Sequence, residues 1–340
     1  MSLTQALQLL DGNFLNEPIR RFAVESLSKF SPVEITDYLI QLVQSLKYEV
    51  YHDSPLARFL LKIGIKYPLT IGHSLFWNLK SEMHNANVQQ RFGLYLEIFL
   101  TKIGSNFRKI FEDEVCLVNS LSKVCEIAFP KEKNVSKEVI KLKMEKELDK
   151  INNELLSDRE ISIPFNYRCK VKRIFSKKCK FMKSKKKPLW LVFENVCDLA
   201  EDTYIMFKKG DDLRQDIITL QLFKIMHKLW YEEGIRLKMS NYEVISTGNF
   251  EGLLQIVTNS ETLATIQKDY GGLLSGFSNK PLKHWMCKII TNITEKEYVN
   301  NFILSTVAYC IATFVLGIGD RHNDNIMVKK VTRIVNIIEW

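Results

Sequence analysis

The seven cysteines, Cys116, Cys125, Cys169, Cys179, Cys197, Cys287 and Cys310, include no Cys-x-x-Cys pair and no metal-ligand spacing. That excludes a thiolate metal knuckle and a disulfide framework, and the odd number fits a reduced, cytosolic compartment. The opening Met-Ser-Leu-Thr-Gln-Ala-Leu-Gln has no basic segment followed by an apolar run, so no secretory signal is expected. Strand signals are almost absent before residue 130, and no clear internal repeat stands out there. Charge is nearly balanced outside one stretch: eleven of the twenty residues 168–187 are Lys or Arg, and they account for the net +9. Such a cluster suits a phosphate-rich partner, whether nucleotide, anionic membrane or nucleic acid. One uncharged run, residues 299–319, approaches the minimum length of a membrane span. Asn300, Asn301, Ser305, Thr306 and Thr313 dilute it, and a buried helix is the expectation.

With 340 residues, the chain is long enough for two domains, each with its own core. Residues 3–129 read as a succession of helices, with breaks where Pro, Asn, Asp or Ser cluster, at residues 11–18, 31–32, 53–55, 67–68 and 84–86. Leu39, Leu42, Val43 and Leu46 form an amphipathic stripe. Stacked antiparallel helix pairs would bury such faces, as a scaffold or docking surface. His52, His73 and His84 are isolated, and no titratable cluster is expected there. Ser136 can cap a further helix to about residue 156, with Met144, Leu148, Ile151 and Leu155 inward. Residues 161–167, holding Pro164, look like a linker.

Beyond it the period changes. Residues 189–193 and 204–207 are aromatic and β-branched, as strands are. On the second strand, alternation sets Tyr204, Met206 and Lys208 on one face, with Ile205, Phe207 and Lys209 on the other. Gly210-Asp211-Asp212 makes a turn whose second Asp caps a helix over residues 213–233, with Ile218, Leu222, Ile225 and Leu229 inward and Gly234 ending it. Strands at 242–245 and 253–257, joined through 246–249, then a mainly helical segment over 261–316, complete the order of a two-lobed kinase.

Residues 317–328 concentrate the chemistry. Asp320, Arg321, His322, Asp324 and Asn325 are wedged between apolar segments, and charges in such a place are costly unless paired or used. Phosphoryl transfer needs cations on the nucleotide phosphates, metal ligands and a group acting on the attacking hydroxyl. Lys208 can reach phosphates from a strand end, and Ser184 beside Lys186 can cover them from a loop. Trp190, Tyr242 and the strand at 255–257 can flank a purine. Asp320 and His322 are both base candidates, and Asn325 is a neutral oxygen ligand for Mg2+.

Three strings, Met-Lys-Ser-Lys-Lys-Lys-Pro-Leu-Trp-Leu at 182–191, Phe-Lys-Lys-Gly-Asp-Asp-Leu-Arg-Gln-Asp at 207–216 and Gly-Ile-Gly-Asp-Arg-His-Asn-Asp-Asn-Ile-Met at 317–327, resemble the catalytic subunits of phosphoinositide 3-kinases, most closely class I. Residues 38–49 and 76–84 look like that family's helical (PIK) domain, and the resemblance covers nearly everything from 5 to 329. It implies an α+β chain: an all-α helical solenoid over 1–160, a kinase N-lobe of mixed β with one long helix over 161–257, and over 258–340 a C-lobe cut short after the catalytic loop. It further implies ATP and Mg2+ as cofactors. Ser184 and Lys186 would lie on the phosphate loop, Trp190 on the adenine wall and Lys208 on the phosphates, with Asp216 and Tyr242 in an inner pocket and Gln255 and Val257 at the hinge. Asp320, Arg321 and His322 would carry the catalytic loop's roles, and Asn325 would bind metal. The implied reaction is ATP-dependent phosphorylation of the inositol 3-hydroxyl of membrane phosphoinositides by a cytoplasmic protein recruited to the plasma or other membranes. Regulatory subunits or small GTPases would act through regions this sequence does not include, and no nucleic acid is expected.

The resemblance breaks after Val328. The family continues to an Asp-Phe-Gly segment whose Asp holds metal, whereas here Ile338 takes that place and Glu339 lies one position away. The expectation is a chain inactive by itself. A non-catalytic scaffold or pseudokinase fragment, or a phosphatidylinositol 4-kinase, are the alternatives.

Overall fold

In the computed structural model, the described residues are 1–130, 135–157, 159–271, 280–288, 294–319, 321–332 and 334–337. They form two compact units, one of residues 1–214 with 244–254 and the other of 215–243 with 255–340.

The first unit begins with helices α1 (Leu3–Leu9), α2 (Glu17–Leu27), α3 (Pro32–Asp37), α4 (Leu39–Ser45), α5 (Pro55–Lys66), α6 (His73–Ser81), α7 (Ala86–Lys102), α8 (Ser105–Glu126) and α9 (Lys137–Ile151). Local chemistry sets their starts. Ser2 and Ser31 form capping boxes with Gln5 and Glu34, and Ser54, Asn85 and Ser136 accept backbone N–H groups of their own first turns. Gly104, at φ 92°, makes a break between α7 and α8 that sequence reading did not mark. The Leu39, Leu42, Val43 and Leu46 stripe is buried throughout. α9 continues as a π-helix over Asn152–Leu156, where Leu156 is buried and the expected Leu155 is half-buried against the same core.

One expectation for this part is overturned: titratable groups are clustered, and deeply. Arg20, 2% exposed, donates to Glu49 and to the carbonyls of Leu10 and Ser45. His73 Nε2 lies 2.9 and 3.0 Å from the two carboxylate oxygens of Glu114, which also accepts from Trp77 Nε1 at 2.8 Å. Each cluster joins helices far apart in sequence, so no local spacing announces it.

The strands of this unit are β1 (Ile161–Ile163), β2 (Asn166–Ile174), β3 (Lys180–Phe181), β4 (Leu189–Asn195), β5 (Thr203–Lys209), β6 (Val244–Gly248) and β7 (Glu251–Gln255), in the order β1-β2-β4-β5-β7-β6 with β3 beside β4. The supposed linker at 161–167 is therefore wrong: Ile161 and Ile163 are buried and β1 pairs antiparallel with β2, because Pro164 occupies the turn between them rather than a strand. The β6–β7 connection is also displaced from the expectation. Residues 246–248 are strand, and the turn falls on Asn249 and Phe250, the latter at φ 52°. A single apolar core runs from Leu3 and Leu10 through the helices to Leu191, Phe207 and Leu253.

The second unit holds α10 (Arg214–Glu232), β8 (Ser260–Thr262), α11 (Leu263–Gly271), α12 (Lys280–Lys288), α13 (Glu295–Leu316), β9 (Ile326–Lys329) and β10 (Val335–Ile337), the three strands ordered β10-β9-β8. On α10, Phe223 is buried with Leu220, Met226 and Trp230 against it, whereas Ile218 and Leu229 are exposed. The inward face is thus rotated from the expected one. The helix is apolar nearly all round, so periodicity could not select a side.

α13 departs from expectation in a related way. It is the one helix among the described residues long and apolar enough to cross a membrane, and 28% of that stretch is buried. Its inward face combines small and polar side chains with two tyrosines, Tyr298 and Tyr309. Ser305 Oγ accepts the Val335 N–H at 3.0 Å, and Asn301 Nδ2 donates to the Thr332 carbonyl, beside buried Ala308 and Ala312. Val299, Ile303, Val307, Ile311, Phe314 and Val315 are exposed. Ser305 and Asn301 thus hold the backbone of the β10 region, while Tyr298 and Tyr309 fill the core beside them.

Candidate active site

In the first unit, Leu189 stands opposite Phe207, and Trp190 opposite Met206, across the antiparallel β4–β5 ladder. Directly opposed residues share a face. Leu189, Leu191, Ile205 and Phe207 are all fully buried against the helices. The other face carries Trp190, Tyr204, Met206 and Lys208, as alternation predicts. Trp190 and Tyr204 meet edge to face at 6.4 Å, and the Lys180 ammonium sits 5.1 Å over the Trp190 ring. Lys208 is 4% exposed, and its Nζ lies 3.5 Å from Asp211 Oδ2.

The loop at 183–187 closes on itself. Lys187, at φ 46°, donates its N–H to the Ser184 carbonyl at 3.1 Å, and Met182 donates to Pro188. Lys186 Nζ then donates to the Gly210 carbonyl, two residues past Lys208. Ser184, Lys186 and Lys208 are in this way brought to one end of β5. Gly210, at φ 93°, takes a conformation that a side chain would strain, and its N–H and that of Asp211 both donate to the Phe250 carbonyl.

Sequence reasoning passed over Arg214, although it stands in the same string. Its guanidinium grips Asp212 through Nε and Nη2, each at 2.8 Å, and reaches Glu82, just past α6, at 3.0 Å. Asp212 also accepts the Arg214 N–H, as a cap should. The Arg214 hydrogen bond holds Asp212 below the usual carboxylate range, and the Arg214 pKa rises. Burial pushes Glu82 upward, but the charge of Lys47 and hydrogen bonds from Arg214, Lys47 and Gln44 outweigh it, leaving Glu82 lowered. The turn after Lys208 is therefore tied directly to the helical layer.

In the second unit, Asp216, Tyr242 and Arg321 line one small pocket with Thr219, Leu220, Phe223 and Ile318. Asp216 and Tyr242 are 8% and 7% exposed, and Arg321 Nε donates to the Gly319 carbonyl. Asp320 lies outside the described residues. His322 Nδ1 is 3.2 Å from the Asp324 N–H, which donates to it. The same Nδ1 lies 3.7 Å from Asp324 Oδ2. The His322 carbonyl accepts from the N–H of Asn325, itself 9% exposed. Asn323 fixes the loop to α11, donating to Gln267 and accepting from the Ala264 N–H. Gln255 and Glu243 exchange bonds: Gln255 N–H donates to the Glu243 carbonyl, and the Glu243 N–H donates to Gln255 Oε1. Burial raises the Glu243 pKa. The Val257 carbonyl accepts from Ser260 Oγ.

Lys208 and Lys186 fit a polyphosphate. A metal is a poorer fit: among the described residues no three His, Cys, Asp or Glu side chains converge, and Asn325 alone supplies one neutral oxygen.

Residues 1–112 match the phosphoinositide 3-kinase family accessory domain, the PIK domain, and residues 202–337 match phosphatidylinositol 3- and 4-kinase. The chain is 42% identical over 336 residues to phosphatidylinositol 3-kinase 2 of Dictyostelium discoideum, covering 98% of this chain and 18% of that protein. The chain belongs to the phosphoinositide 3-kinase family. Phosphatidylinositol 3-kinase 1 of the same organism is likewise 42% identical over 337 residues, 98% of this chain and 21% of that protein. A human relative, phosphatidylinositol 4-phosphate 3-kinase C2 domain-containing subunit beta, is 37% identical over 340 residues, 99% of this chain and 20% of that protein. The chain thus spans about a fifth of the length of these relatives. Family membership accounts for the helical layer followed by a sheet-containing kinase-like region.

Proposed function

We propose that this chain binds ATP and carries the nucleotide-handling part of a phosphatidylinositol 3-kinase, whose reaction transfers the γ-phosphoryl group to the inositol 3-hydroxyl of phosphoinositides at a membrane surface. The observation that carries the proposal is the buried Lys208 near the end of β5, with Lys186 of the 183–187 loop bonded to the Gly210 carbonyl two residues further on. Ser184, Lys186 and Lys208 take the phosphates, and Trp190 is a wall for adenine. In the other unit, Gln255 and Val257 serve the adenine edge through their backbones, and Asp216 and Tyr242 form an inner pocket. Asp320 or His322 acts as base, and Arg321 donates to the charge that develops on the transferring phosphoryl group. Among the described residues Asn325 would be a ligand for Mg2+, which would supply neutralisation of phosphate charge.

The protein would work in the cytoplasm and be recruited to membranes. Position 338 is Ile where the family's metal-binding Asp aligns, so residues 1–340 by themselves are expected to bind ATP and turn it over negligibly. Titration of the purified chain with ATP, paired with a lipid kinase assay, tests this. A charged hydrogen bond contributes ~1.5–3 kcal/mol, so Lys208→Met should weaken ATP binding by roughly ten- to a hundredfold. ATP affinity unaltered by that substitution, or no ATP binding by the parent, sinks the nucleotide reading. Robust phosphoinositide phosphorylation would instead sink the expectation of inactivity.

A further inference from the structure

The basic stretch at 168–187 is divided by the fold into two populations. Lys170, Lys172 and Lys178 are neutralised by Glu160, by Glu194 with Asp198, and by Asp202. Lys180, Lys183 and Lys187 instead face a pocket of about 470 Å3 between the start of α9 and the segment running from β3 to β4. Across it, Lys137 and Lys141 stand one turn apart on α9, and among the described residues no acidic side chain lines the pocket. Two of the lysines are held by neutral groups: Lys187 Nζ donates to the Ala128 carbonyl at 2.7 Å and lies over the Phe129 ring, and Lys180 lies over Trp190. Neutral partners position an ammonium without cancelling its charge. Exposed Lys141 lies 3.7 Å from Glu145, which is outside the lining.

The floor has the opposite character. Ala128 and Met144 are buried, and Ile140, Phe181 and Met182 are partly buried and line the same space. The volume lies within the usual range for small-molecule sites, ~300–1,000 Å3. A neutral apolar ligand would leave the charges of Lys137, Lys180, Lys183 and Lys187 unanswered, and a bare inorganic anion would leave the floor wet.

We infer that this pocket binds an anionic amphiphile, with a phosphate-type head among Lys137, Lys141, Lys180, Lys183 and Lys187 and an apolar tail against Ile140, Met144, Phe181 and Met182. Ser184 is the residue it shares with the proposed nucleotide site, so the occupant would also bear on the loop that closes through the Lys187 N–H. The inference does not depend on lipid kinase activity, and a chain that fails to bind ATP leaves it standing.

The test uses the full 340-residue chain and dodecyl phosphate below its micellar concentration, followed by titration calorimetry. Saturable one-site binding is expected, at least about tenfold tighter than inorganic phosphate or dodecyl maltoside, and weakening with added salt. Lys141→Glu with Lys183→Glu, both at exposed positions, should reduce the affinity about tenfold or more. Lys141→Ser alone, with a several-fold loss, serves if the double variant does not fold. Sedimentation with equimolar phosphatidylcholine and phosphatidylserine vesicles, but not with phosphatidylcholine alone, identifies a membrane lipid as the source. Binding of dodecyl phosphate without vesicle binding identifies a soluble amphiphile. Equal affinity for dodecyl maltoside, equal affinity for inorganic phosphate, or charge-reversed variants that bind as tightly as the parent would each overturn the inference.

Discussion

Arg214→Ala should loosen the tie between the helical layer and the turn that follows Lys208. The substitution removes two interactions of different worth. The pair with Asp212 is 42% and 27% exposed at its two ends, and solvent screening reduces it to ~0.5–1 kcal/mol. The bond to Glu82 is another matter, since that carboxylate is 2% exposed. It would keep Lys47 and Gln44, both at 3.2 Å, and lose its third donor, at a cost of ~1–2 kcal/mol. The expected total is ~1.5–3 kcal/mol, read as a lower urea midpoint for the first unit by tryptophan fluorescence, with Trp77 in its core. The pH dependence has a definite sign. Because Glu82 is lowered in the folded state, its contribution is complete above the unfolded carboxylate value of ~4.3 and is lost as pH falls through the lower folded value. Without Arg214 the folded value rises, so the variant loses stability at higher pH than the parent, and the difference between them shrinks in acid. A double-mutant cycle with Glu82→Gln should give a coupling of ~1 kcal/mol or more. Additive effects within ~0.3 kcal/mol, or an unchanged midpoint at neutral pH, would refute the reasoning.

Glu114→Ala should cost ~3–5 kcal/mol, because the fully buried carboxylate serves both His73 and Trp77; urea unfolding with a loss below ~1 kcal/mol would count against that network. Gly72→Ala places a methyl group 2.5 Å from the Gly64 carbonyl oxygen of α5, a backbone atom that cannot rotate away, and a loss of ~1–3 kcal/mol is expected in thermal unfolding. Thiol labelling at pH 8 should be fast at exposed Cys116, Cys197, Cys287 and Cys310. It should be slow at Cys125 and Cys179, whose pKa burial pushes up to about 12 and about 11; rapid modification of either in the folded chain contradicts the packing.

The parts of the site legible beforehand were those in which a side chain's role follows from its neighbours in sequence. Strand alternation put Lys208 and Trp190 on the face opposite the core, and the Gly210-Asp211-Asp212 turn and its cap were readable from turn chemistry. Arg214 was not readable, since its partner Glu82 is 132 positions away. The strand at 166–174 was hidden by its own lysines and arginines, which point outward while Val171 and Ile174 are buried. The apolar helices α10 and α13 defeated periodicity because both have apolar residues on every side, and only the neighbouring elements chose which side went in.

By itself the sequence determined the helical first portion, the caps that start its helices, the alternating faces of β4 and β5, and a family identity concentrated in three short strings. These depend on interactions within a few residues, where spacing is a direct record of geometry. Tertiary structure alone decided the buried pairs of Arg20 with Glu49 and of His73 with Glu114, the Arg214 tie to Glu82, and the division of one basic stretch into neutralised lysines and lysines gathered around a pocket. A charge's fate depends on which distant acid the folded chain brings within a few ångströms, and the order of residues carries no local trace of that distance.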